Sequence, residues 1–95
     1  MTGLKARIYT EARDVEGIKA MVGVAFDGYT IFDATGVWEG QEEQSVVIEI
    51  LCLEPFSSLQ ESFRRLVHST AAAIKKVNQQ EAVLVTFEEI EGELI

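Results

Sequence analysis

The chain predicts an α+β fold, a four-stranded antiparallel sheet with two helices on one face. Three observations lead there. Apolar residues alternate with period two over 4–11 and again over 45–53, the mark of half-buried strands. Leu59, Phe63, Leu66, Val67, Thr70, Ile74 and Val77 recur at helical spacing, so one long helix presents a single apolar stripe. Turn-forming residues at Asp27-Gly28, 39–44 and Pro55 divide the rest into short elements.

Each element has its own justification. In the first strand, 4–11, Leu4, Ala6 and Ile8 point one way and Lys5, Arg7, Tyr9 and Glu11 the other. Asp14 suits the N-cap of a first helix carrying Val15, Ile18, Val22, Ala25 and Phe26 at helical spacing. Gly28 suits a left-handed cap at its end. The second strand, 29–38, is rich in β-branched and aromatic residues. Residues 39–44 are expected to be the turn, and 45–53 the returning strand. In that strand Val46, Ile48, Ile50 and Cys52 share one face, and Val47, Glu49 and Leu51 the other. Pro55 stops it, a helix spans about 57–78, and a last strand covers 81–90. The order β-α-β-β-α-β is the ferredoxin-like plait. Right-handed crossovers give the spatial strand order 4-1-3-2 in one domain, 1–95.

Composition narrows the functional classes. A single Cys cannot form an internal disulfide, which points to a reducing cytoplasm. No stretch approaches a membrane span. The eight Lys and Arg face sixteen Asp and Glu. No positive charge falls between Lys19 and Arg64 or after Lys76. Such a surface repels phosphate backbones, so nucleic acid is not an expected partner. No catalytic or cofactor motif is complete, and no cofactor or metal is expected.

Topology gathers the candidate site residues. The ends of the first strand, the hairpin and the second helix meet at one rim, bringing Glu11, Arg13, Trp38, Glu42, Glu43, Gln79, Gln80 and Glu81 together. The flat face of Trp38 beside carboxylates suits a ring or a cation; equally, it could cap the sheet or pack in an interface. Glu11, Glu42, Glu43 and Glu81 could hold a hard cation such as Mg²⁺ or Ca²⁺, or simply form a solvated rim. On the sheet face away from the helices, Tyr9, Val47, Glu49 and Leu51 form a surface too apolar to sit bare. A second copy packed sheet to sheet would cover it. Glu49 there needs a partner, and Lys5 or Arg7 can supply one. His68 falls opposite the apolar stripe of its helix, and Cys52 faces the core as a small hydrophobe. Asp33, disfavoured in a strand, fits an edge position.

The segment "FDGYTIFDATGVWEG…EQSVVIEIL" with the later "NQQEAVLV" resembles a small bacterial family. That family has a G-x-T pattern, a G-x-W hairpin and a closing Q-E-x-V strand. The likeness covers about 22–86 and implies a fold, not an activity. The element order also resembles PII-like signalling proteins, but their long hairpin loop and glycine-rich phosphate segment are missing, so nucleotide binding does not carry over. Three functions compete: an oligomeric module binding a small ligand or protein partner; a dimeric α/β-barrel enzyme using Tyr9, Glu49 and Trp38 on a small apolar substrate; and an acidic accessory protein engaging a basic partner.

Overall fold

The computed structural model describes residues 2–95. Six elements follow in the order β1 (Thr2–Glu11), α1 (Val15–Ala25), β2 (Thr30–Trp38), β3 (Gln41–Cys52), α2 (Ser57–Val77) and β4 (Leu84–Glu91). The strands form one antiparallel sheet in the order β2-β3-β1-β4. Counted from the other edge this is 4-1-3-2, the ferredoxin-like plait. Ile18 and Val22 of α1 and Phe63, Val67, Ala71 and Ile74 of α2 join Leu4, Ala6, Ile8, Val46, Ile48 and Ile50 in one core. Both helices therefore cover the same sheet face, and the period-two alternation of β1 and β3 decides which side chains they meet.

Local chemistry explains the element ends. Asp14 caps α1, its Oδ1 accepting from the Gly17 N–H at 3.2 Å. It does so at φ 48, a left-handed conformation that Asp tolerates better than most residues. The far end of α1 differs from expectation. Phe26, not Gly28, caps it with extended backbone, and Gly28 has no positive φ, because the chain turns straight into the approach to β2.

The end of α2 is a Schellman-type wrap. Gln79 is left-handed at φ 52. Its N–H returns to the Lys76 carbonyl, and that of Gln80 to the Lys75 carbonyl, which satisfies carbonyls the helix leaves open. The closing Gln80-Glu81-Ala82-Val83 therefore precedes β4 instead of lying in it. The buried stripe of α2 is Phe63, Val67, Thr70, Ala71 and Ile74. Leu59, Leu66 and Val77 remain exposed.

The hairpin departs most from the sequence reading. The turn is Glu39-Gly40 alone, with φ 50 and φ 77, the double left-handed pattern of a type I′ turn. Residues 41–44 belong to β3. The last pairing of β1 with β3 is Glu11 opposite Ser45. Beyond it β2 and β3 continue as a two-stranded ribbon to Trp38 opposite Gln41. Asp33 sits exposed on the edge strand β2.

Candidate functional site

At the upper end of β1, Gln80 ties the exit of α2 to the strand. It is 8% exposed. Its Nε2 donates to Thr10 Oγ1 at 2.6 Å, and its Oε1 accepts from the Glu11 N–H at 3.2 Å. Asn78 Nδ2 donates to the Arg13 carbonyl at 2.7 Å, and Arg13 Nη1 donates back to the Asn78 carbonyl at 3.1 Å. The exit of α2 is thus bolted to the β1–α1 corner by side chains that replace strand pairing.

On that base sit two carboxyl groups. Arg13 Nε lies 2.6 Å from Glu11 Oε2, yet that buried oxygen has no hydrogen-bond partner among the described residues. Glu43 approaches from the hairpin. Its carboxyl is held above the ordinary range, first by the hydrogen bond to Glu11, then by burial and by the charge of Glu11, with Arg13 opposing. Two ionised carboxylates have no donor between them, and a proton on Glu43 supplies one.

Of the residues expected at the rim, Glu11, Arg13, Glu43 and Gln80 do meet. Glu42 does not, because alternation along β3 turns it to the opposite face from Glu43. Trp38 stands 70% exposed at the hairpin tip, and Gln79 and Glu81 point to solvent. No group of three or more His, Cys, Asp or Glu is placed to hold a metal among the described residues, so the four rim glutamates make no cation cage. Thr10 and Asn78 join the site without having been expected there. Thr10 carries a signal: it follows Leu4, Ala6 and Ile8 on the inner face of β1, where a hydroxyl needs a partner.

The open sheet face carries Tyr9, Val47, Glu49 and Leu51 as expected from alternation. One cross-strand row is Phe32, Val47, Tyr9 and Leu84, with Val47 only 5% exposed and Phe32, Leu51 and Leu84 open to solvent. The next row holds Glu49, whose Oε1 accepts from Arg7 Nε and Nη2, both at 3.1 Å. Lys5 Nζ lies 3.9 Å away. Arg7 is held above its usual value by hydrogen bonds to Tyr9 and then Glu49, and its guanidinium lies 5.8 Å over the Phe32 ring. Glu49 is thus bound in ion pairs.

Two grooves lie elsewhere. One of about 490 Å³ runs between α2 and β4, lined by Arg64, Arg65, His68, Ser69 and Phe87. The other, about 290 Å³, is apolar and lies between the helices against Met21, Val24 and Ala73. Cys52 is free and half-buried. No described helix is long and apolar enough to cross a membrane.

No family model and no curated protein matches the chain. Solved structures do. A phage SAM lyase in its apo state superposes with TM-score 0.76 at 24% identity, over 93% of this chain and 81% of that one. The same enzyme in complex with S-methyl-5'-thioadenosine gives TM-score 0.74 at 24% identity, over 92% and 81%. CPII, a nitrogen regulatory PII-like protein from Thiomonas intermedia bound to ADP, AMP and bicarbonate, gives TM-score 0.64 at 17% identity, over 100% and 98%. A putative PII-like signaling protein from Thermus thermophilus gives TM-score 0.52 at 22% identity, over 95% and 87%. The PII-like likeness read from the element order is therefore a likeness of fold, and fold alone assigns no activity.

Proposed function

We propose that the chain is a small ligand-binding module that works as a homo-oligomer. Its ligand is an adenosine derivative that is neutral or cationic, not phosphorylated. The observation that carries this reading is the carboxyl pair Glu11–Glu43 over the buried Gln80, with the nearby cation Arg13 already paired to Glu11. Carboxylates without a free cation repel a diphosphate and favour a positively charged group. The fold neighbours supply the ligand class. CPII is described with ADP and AMP, and the phage lyase with S-methyl-5'-thioadenosine; all three molecules contain adenosine. A second copy over the face of Phe32, Val47, Leu51 and Leu84 would wall the rim and remove that apolar surface from water.

The test is a thermal-shift and calorimetric screen with S-methyl-5'-thioadenosine, S-adenosylmethionine, AMP and ADP. A binder at 100 times its Kd adds about 2.7 kcal/mol, which is several degrees in a chain this size. The reading expects the sulfonium or the thioether to shift the midpoint, the nucleotides not to, and Glu43→Gln to weaken the shift. Silence from all four, or a response to ADP alone, sinks it.

Catalysis is a second reading, favoured by the upward shift of the Glu43 carboxyl beside Glu11. Glu49 is engaged by Arg7 and Lys5, so an enzyme on this scaffold would use Glu43. Incubation with S-adenosylmethionine and mass spectrometry of the products decides it: turnover lost in Glu43→Gln supports it, and unchanged substrate removes it.

A further inference from the structure

We infer that the acidic hairpin tip of one copy seats in the basic α2–β4 groove of another. The inference does not depend on the ligand reading above. It begins with the ribbon beyond Glu11 and Ser45. The Ala12 N–H still donates to the Gln44 carbonyl at 2.9 Å; past it β3 pairs with β2 alone, so the hairpin overhangs the sheet by three residues, about 10 Å at roughly 3.4 Å each. A two-stranded ribbon is marginal on its own in water. This one also exposes Val37 and Trp38, 64% and 70% accessible. Its free charges are Glu39 and Glu42, with Glu43 turned to Glu11, and no basic residue falls from 20 to 63.

The complementary surface is on the same chain. Arg64 makes no ion pair among the described residues; its guanidinium lies 4.6 Å over the Phe87 ring. Held there by cation–π attraction, it keeps its N–H groups free to donate. Arg65 has only an exposed 3.7 Å contact with Glu61, a pair of little energetic weight. With His68 and Ser69 they line the groove of about 490 Å³. Its positive charge and its apolar floor match an acidic ribbon with a tryptophan at its tip.

Topology makes the contact intermolecular. The hairpin extends β2 and β3, at one edge of the sheet, whereas the groove lies against β4, at the other edge. A chain cannot bring one to the other without unpairing β1. The partner is therefore a second copy, meeting the first head to tail. Repeated, such a contact closes into a ring or grows as a filament.

Sedimentation of the full chain tests this, with emission of the single Trp38 as a second reading of tip burial. Four variants are needed: Glu39→Lys with Glu42→Lys; Arg64→Glu with Arg65→Glu; all four of these combined; and Leu84→Asp on the open face. The expected result is self-association that weakens as salt rises from about 50 to 500 mM, with Trp38 emission shifting to the blue as the protein concentrates. Each reversal pair should weaken association about ten-fold or more, and the combined variant should regain it. Three results overturn the inference. The first is a wild-type chain that stays monomeric. The second is reversal variants that associate like wild type, including the case where only Leu84→Asp on the open face dissociates them. The third is a combined variant that fails to recover.

Discussion

Replacing Gln80 by Met keeps its bulk and removes both of its hydrogen bonds. The size of the effect follows from what each partner does next. Thr10 loses the donor at 2.6 Å, but its hydroxyl is already 3.3 Å from the Glu11 carbonyl and can turn toward it. The Glu11 N–H loses the Gln80 oxygen at 3.2 Å and has no substitute nearby. An unpaired buried donor costs about 1–3 kcal/mol, while a satisfied bond contributes about 0.5–1.5 kcal/mol net. Gln80→Met should therefore destabilise by about 2 kcal/mol, which lowers Tm by roughly 8–16 °C in a chain this small. The assay is urea unfolding at neutral pH with an unchanged slope, so that a shifted midpoint reads as stability. A cycle with Thr10→Val sharpens it. The double variant replaces a polar pair by an apolar one and should cost about 1 kcal/mol less than the sum of the single variants. Either an effect below about 0.5 kcal/mol or strict additivity would refute the view that Gln80 bolts α2 to β1.

Three further perturbations address other junctions. Glu43 is raised in the folded chain, so the stability from its proton is full below the ordinary carboxyl value and is lost as pH rises through the folded one. Glu43→Gln mimics the protonated form, so urea midpoints over about pH 4 to 7 should fall in wild type relative to the variant; parallel profiles would contradict the upward shift of Glu43. Gln79 occupies a left-handed position at φ 52, where a side chain costs about 1–2 kcal/mol. Gln79→Gly should then raise stability in urea by up to about 1 kcal/mol after glycine's entropy, and a loss would show that the wrap is unstrained. A Cβ on Gly3 would run into the Cys52 carbonyl oxygen and the Leu53 backbone, so Gly3→Ala should destabilise by about 1–3 kcal/mol in thermal melts.

The plait is legible because its signals are local. Alternation in β1 and β3 and the spacing of Phe63, Val67, Thr70 and Ile74 each declare an element within a few residues. The hairpin escapes the same reading for an equally local reason. Glu-Gly is a weaker turn signal than Asn-Gly or Asp-Gly, and the run "EGQEEQ" has the polarity of a loop. Yet its glutamates and glutamines alternate across a ribbon, and the left-handed Glu39 shortens the turn to two residues. Gln80 shows the other limit. A glutamine after a helix reads as solvent-facing, and its burial depends on Thr10, 70 positions away. Nothing between them in the sequence announces the pair. Topology places Glu11 and Glu43 at one rim, but the upward shift of Glu43 depends on side-chain approach that strand order does not determine.

The distribution of charge explains why a functional reading leads to contacts between copies. Of the eight Lys and Arg, Lys5, Arg7, Arg13, Lys19 and Arg65 each lie within 4 Å of a carboxylate. Arg64, Lys75 and Lys76 have no such partner among the described residues, and all three belong to α2. The unpaired positive charge therefore sits on one helix, while the hairpin carries carboxylates and no Lys or Arg. A molecule polarised in this way attracts a copy of itself end to end. On the proposed reading it would also sort ligands by sign, with cations at the Glu11–Glu43 rim and anions at α2. Inorganic phosphate should thus perturb the ring protons of His68, which lines the α2–β4 groove, before it perturbs Trp38 emission. A phosphate response at Trp38 alone would mean that the rim is not acidic in effect, and the cationic-ligand reading would fall with it.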